Sequence, residues 1–183
     1  MSDHAFLAVD FTDEQRHALS AALSEANPGR RLPGKRPPAE NWHITLRFLG
    51  EATELQTERL MHRLAEIVDV GPGRVACNGL GAFPKKARAG VLYAAVDDSE
   101  GMLARLAMWC EEAAREVGFE PDERPYVPHV TLTRARPAVD VRHTFESWDD
   151  FRVPVDVEAI TLFRTRRSNN GVRYERIEGI DLV

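Results

Sequence analysis

Two copies of one tetrapeptide pattern, His43-Ile44-Thr45-Leu46 and His129-Val130-Thr131-Leu132, stand 86 residues apart and constrain this chain more than any other feature. With 6 histidines and 9 threonines in 183 residues, chance supplies about 0.3 His-x-Thr pairs. Two copies that also agree at their apolar positions therefore point to an internal duplication. Each copy reads as a strand, in which successive side chains leave opposite faces. His43 and Thr45 then share one face while Ile44 and Leu46 share the other, and the second copy repeats the division. The apolar pair belongs in a core. The polar pair needs water or a cleft, because burying an unpartnered polar group costs about 1–3 kcal/mol. Two lobes related by a pseudo-two-fold axis would turn both polar pairs into one central groove.

Two imidazoles facing one substrate supply a general acid and a general base near neutral pH. Two threonine hydroxyls beside them can donate to the non-bridging oxygens of a phosphate. In-line displacement at phosphorus removes a proton from the attacking oxygen and delivers one to the leaving oxygen on the opposite side. The symmetry of the repeat matches the symmetry of that reaction. No metal and no cofactor is expected, since two histidines are too few for an ordinary zinc site and no His/Cys/carboxylate triplet accompanies them. His4, His17, His62 and His143 read as surface residues, and no Gly-x-Ser-x-Gly elbow supports a serine nucleophile.

Around these motifs the chain alternates short strands and amphipathic helices. Strands are expected over 5–11, 42–49, 74–80, 91–96 and 127–133, with a closing hairpin of 155–166 and 172–180 across Ser168-Asn169-Asn170-Gly171. Thr12 with Gln15 and Thr53 with Gln56 form capping boxes that open two helices, and Ser99 is expected to cap a third that ends at Gly118. Residues 27–40 hold Pro33, Pro37, Pro38 and four basic side chains, a loop long enough to serve in binding. The order gives an α+β fold of two pseudo-symmetric antiparallel lobes with helices packed outside, in a single domain over 1–183.

A net charge of −5 argues against a protein that coats duplex DNA, yet leaves three basic clusters. They are Arg30, Arg31, Lys35 and Arg36; Lys85, Lys86 and Arg88; and Arg164, Arg166 and Arg167. The first and third are expected to flank the groove and hold an anionic backbone. No membrane span or export signal is visible, and Cys77 and Cys110 read as reduced thiols of a cytoplasmic monomer.

At Pro38-Ala39-Glu40-Asn41-Trp42-His43-Ile44-Thr45-Leu46-Arg47-Phe48-Leu49-Gly50 and at Arg124-Pro125-Tyr126-Val127-Pro128-His129-Val130-Thr131-Leu132-Thr133-Arg134 the sequence resembles the two-histidine phosphoesterase superfamily. It is most similar to the bacterial and archaeal RNA 2′,3′-cyclic phosphodiesterase branch, and the likeness spans nearly the whole chain. The resemblance implies metal-independent hydrolysis of 2′,3′-cyclic phosphates, on RNA ends or small cyclic nucleotides, to 2′-phosphomonoesters. It implies that His129 is the base and His43 the acid, with Thr45 and Thr131 as phosphate ligands. It also links such proteins to joining tRNA halves through a 2′-5′ bond. Tyr126 stands where the family usually has Phe and offers a face for base stacking. Strict alternation puts Arg47 and Thr133 on the histidine face and Arg134 on the opposite one, unless a bulge intervenes; both arginines are expected on the phosphate. A non-catalytic RNA-end binding module is the alternative from a different class.

Overall fold

The structure is a computed structural model that describes residues 4–169 and 171–183. Met1 to Asp3, part of the stretch read for an export signal, and Asn170, in the expected hairpin turn, lie outside the described residues. Strand β1 (His4–Asp10) leads into helix α1 (Asp13–Ala26), and β2 (His43–Glu51) leads into α2 (Glu54–Ile67). Both helices open on the expected capping boxes, Thr12 with Gln15 and Thr53 with Gln56, each reciprocated. Strands β3 (Gly73–Lys85) and β4 (Arg88–Asp97) precede α3 (Met102–Glu116). Then come β5 (His129–Val139), the short α4 (Arg142–Glu146), β6 (Arg152–Val157), β7 (Ala159–Ser168) and β8 (Gly171–Asp181).

These strands form two four-stranded sheets, ordered β2-β1-β7-β8 and β5-β4-β3-β6, and every pairing is antiparallel. The architecture is α+β. The two motif strands, β2 and β5, occupy the same edge position of their sheets and contact each other. One hydrophobic core joins both sheets and the helices, with Ile44, Leu46, Val130 and Leu132 inside it. The apolar half of each tetrapeptide thus anchors its strand as the alternation requires. Among the described residues no helix is long and apolar enough to cross a membrane.

Several boundaries differ from expectation for identifiable reasons. The basic stretch 82–90 is not an open loop; β3 and β4 continue through it to the pair Lys85–Arg88, so the lysines sit at a hairpin tip. Ser99 is not the cap of α3. Gly101 is, in a left-handed conformation, while the Asp98 carboxylate accepts from the amides of Leu103 and Ala104. The stretch expected as one strand from Val155 breaks at Glu158, which lets β6 complete one sheet and β7 the other.

Loop 27–38 runs along the free edge of β5, where Lys35 and Arg134 exchange backbone hydrogen bonds of 2.8 and 2.9 Å. Gly34 makes this approach feasible: it sits at φ +98°, and a Cβ there would lie 2.7 Å from the Arg134 carbonyl oxygen. Asn41 then donates to the Val172 carbonyl of β8 at 2.9 Å, tying the loop to the other lobe.

Candidate active site

The edge position of β2 and β5 turns the polar halves of both motifs into one cleft of about 760 Å³, lined by His43, Thr45, His129, Thr131 and Arg134. His43 and His129 therefore share a cavity, although no metal-like cluster of three or more His, Cys, Asp or Glu occurs among the described residues. Both rings are held in the same way. Nδ1–H of His43 donates to the Asn41 carbonyl and Nδ1–H of His129 to the Val127 carbonyl, each at 2.7 Å. A neutral imidazole that donates from Nδ1 keeps its lone pair on Nε2. The His43 Nε2 accepts from the Thr45 hydroxyl at 3.0 Å. No hydrogen bond occupies the His129 Nε2 among the described residues.

Aromatic rings fix both imidazoles further. Phe6 lies 4.8 Å from the His43 ring and Tyr174 meets it edge-on at 5.2 Å. Phe83 and Tyr93 flank His129 at 5.0 and 5.1 Å. Gly81 opposite Tyr93 leaves room for that ring, since a Cβ there would come within 2.2 Å of it. Phe6, Phe83, Tyr93 and Tyr174 form a part of the site that the tetrapeptides do not announce. The positions are scattered over β1, β3, β4 and β8, and only strand pairing assembles them.

A bulge in each motif strand decides where the arginines go. Along β2, Ala8 opposes Thr45 but Leu7 opposes Arg47, leaving Leu46 without a partner. Along β5, Tyr93 opposes Thr131 but Leu92 opposes Thr133, leaving Leu132 without one. A bulge resets the alternation. Thr133 is consequently buried off the cleft, against the strict-alternation expectation, whereas Arg47 still lines it. Arg47 is buried, and its guanidinium donates to the Glu111 carboxylate and to the carbonyls of Phe48 and Glu120. It ties β2 to α3 and to the segment before β5, so its guanidinium nitrogens already have partners beside the cleft. Thr133 is buried and donates to the Pro33 carbonyl at 2.7 Å, so it fastens the loop and does not narrow the groove. Arg134, by contrast, comes onto the cleft face. Its charge acts on both imidazoles, and no ion pair or side-chain hydrogen bond engages it among the described residues.

Burial dominates the titration of the pair. Desolvation, with the charges of His129 and Arg134 adding to it, lowers the His43 pKa to about 4 against the pull of the Asn41 carbonyl. Desolvation lowers that of His129 as well, again with Arg134 adding. Because the unfolded chain takes a proton on His43 near 6.5 and the folded one only near 4, the stability this group contributes is complete above about pH 6.5. It is lost as the pH falls from there to about 4. Thermal melts between pH 7 and 4 are expected to show a falling midpoint whose slope is reduced in His43→Asn. Equal slopes in the two proteins would contradict it. Asp122, held down to about 2 chiefly by Arg124, titrates below that window.

Tyr126 lines the cleft, but it packs against the core and its hydroxyl is buried without a partner among the described residues. Burial pushes its pKa far up. The basic residues Arg30, Arg31, Lys35 and Arg36 are exposed on the loop beside Arg134. In the third cluster Arg166 pairs with Glu175 at 2.7 Å, and Arg164 lies 3.9 Å from Glu54.

The sequence pattern of the 2′-5′ RNA ligase superfamily matches residues 17–169, most of the chain and both motifs. The chain belongs to this superfamily. A protein of Aeropyrum pernix named RNA 2′,3′-cyclic phosphodiesterase is 38% identical over 161 residues, covering 86% of this chain and 91% of its own. One of the same name from Thermus thermophilus is 33% identical, covering 97% and 89%. Among solved structures, TT0787 of Thermus thermophilus superposes with a TM-score of 0.77 at 29% identity, covering 98% of this chain and 97% of its own. Escherichia coli LigT, solved with 3′-AMP, superposes with a TM-score of 0.79 at 23% identity over 100% and 99%, which shows a common fold.

Proposed function

We propose that the protein is a metal-independent RNA 2′,3′-cyclic phosphodiesterase, hydrolysing cyclic phosphates at RNA ends or on small nucleotides to 2′-phosphomonoesters. One observation carries this reading: two imidazoles, each anchored at Nδ1 by a backbone carbonyl, share one cleft with the Arg134 guanidinium. The relatives of 38% and 33% identity bear the name of that activity.

In this reading the phosphate lies between the rings, with the hydroxyls of Thr45 and Thr131 and the guanidinium of Arg134 on its non-bridging oxygens. His129 Nε2 takes a proton from water as the water oxygen attacks phosphorus. The bond from phosphorus to O3′ breaks, and His43 Nε2–H protonates the departing oxygen. The two roles follow the family resemblance, and the open Nε2 of His129 suits it to receive a water. Burial keeps both rings neutral in the free protein, and the charge of the incoming phosphate favours the protonated form that the acid needs. Joining ends through a 2′-5′ bond follows the same path with a 5′-hydroxyl in place of water, His129 taking its proton and His43 again protonating the departing O3′.

The equivalent bulges and edge positions of β2 and β5 support descent of the two lobes from one duplicated unit within a single domain. The exposed basic loop beside Arg134 is placed to hold the backbone of a longer RNA.

Incubation of the protein with 2′,3′-cyclic mono- and oligonucleotides in excess chelator, followed by identification of the product isomer, tests the proposal. The expected product carries a 2′-phosphate. A 3′-phosphate, a requirement for added metal, or tight retention of the cyclic-ended oligonucleotide without turnover would each overturn it.

A further inference from the structure

The two halves of the cleft correspond at the histidines and at the threonines, and then part company at the residue that each bulge brings back to the cleft face. In β5 that residue is Arg134, paired with Val91; in β2 it is Phe48, paired with Phe6. Both line the cleft, on equivalent strands and at equivalent offsets from their histidines. One half therefore presents a cation where the other presents an aromatic ring.

Phe48 is also unlike the other rings around the site. It is 47% exposed, the one exposed aromatic side chain among the described residues, whereas Phe6 and Phe163 are buried. Tyr174, Phe83 and Tyr93 are already committed to holding the imidazoles. Ala107 and Met108 of α3 and Val127 line the same cleft, and Met108 and Val127 are 55% and 40% exposed. The cleft thus has apolar wall left over beyond the groups that would meet a phosphate. A flat, uncharged ring system that arrives attached to the reacting ribose is the occupant this wall suits. An aromatic platform accepts any nucleobase, since every base has a π-face.

We propose that Phe48 stacks on the nucleobase of the nucleotide whose cyclic phosphate lies between His43 and His129. With Arg134 drawing the anion, the Phe48/Arg134 asymmetry sets which way round the substrate lies in an otherwise two-fold cleft. This rests on the phosphodiesterase reading above. It also moves the stacking role from Tyr126, which lines the cleft partly buried against the core, to a more exposed side chain outside that core.

The test compares wild type, Phe48→Ala and Phe48→Tyr on adenosine 2′,3′-cyclic phosphate and on the base-free methyl riboside 2′,3′-cyclic phosphate. Phe48→Ala is expected to lose about tenfold or more in kcat/KM on the adenosine substrate, mostly through KM, as for loss of one base–aromatic stack. On the base-free substrate its kcat/KM should stay within about twofold, and Phe48→Tyr should recover the adenosine rate. Equal losses on both substrates would assign Phe48 a structural role and overturn the inference, as would no loss on either. A wild-type protein that cleaves neither substrate overturns the phosphodiesterase reading, and the stacking role with it.

Discussion

His43→Ala and His129→Ala are each expected to lower turnover of a 2′,3′-cyclic nucleotide by about 10²–10⁴-fold, the usual cost of removing a general acid or base. Neither ring belongs to the hydrophobic core, and each anchoring bond runs to a backbone carbonyl that can turn to water, so both variants should remain folded. The double variant should lose little more than the worse single one, because the two imidazoles act on one transition state and such losses do not add. Steady-state kinetics in chelator, with circular dichroism to verify the fold, decide the matter. A single variant that keeps near-full activity would end the paired acid–base assignment. So would a double variant whose loss is the product of the two single losses, which would mean independent roles.

Arg134→Ala is expected to produce a loss of comparable size, about 10²-fold in kcat/KM, because in the proposed mechanism it removes the cation on the phosphate oxygens. It should also change the pH dependence, and the direction follows from the charges. Arg134 lowers the pKa of both His43 and His129, so its removal lets both rise. A base with a raised pKa becomes protonated earlier as pH falls, so the acid limb of the kcat/KM profile moves to higher pH in the variant. Arg134→Lys keeps the charge and loses the planar fork, and should restore the position of the limb better than it restores the rate. An acid limb unmoved in Arg134→Ala would show that the guanidinium does not face the reacting imidazole. A rate unaffected by the substitution would remove it from the phosphate site.

The paired polar faces were legible because alternation in a strand is a local rule. His43, Thr45, His129 and Thr131 stand on polar faces whose reverse sides, Ile44, Leu46, Val130 and Leu132, fill the core as the spacing demands. The capping boxes at Thr12 and Thr53 were legible for the same reason, since donor and acceptor lie three residues apart. Thr133 was misplaced because a bulge is a property of a pair of strands. Nothing in Leu46 or Leu132 announces that its neighbour in β1 or β4 is missing. The cap of α3 failed in a similar way: Ser99 is a good capping residue, but Asp98 reaches the first amides and Gly101 supplies the left-handed turn.

By itself the sequence determined that two polar faces exist, that each carries an imidazole and a hydroxyl, and that both belong to strands backed by a core. Those properties depend on contacts between residues one to four apart. The tertiary structure alone decided that the faces meet in one cleft, that Arg134 comes onto its face while Arg47 is tied to Glu111, and that Phe6, Tyr174, Phe83 and Tyr93 brace the rings. Those outcomes depend on register between strands far apart in the chain, which is set by how the whole core packs and by no segment on its own.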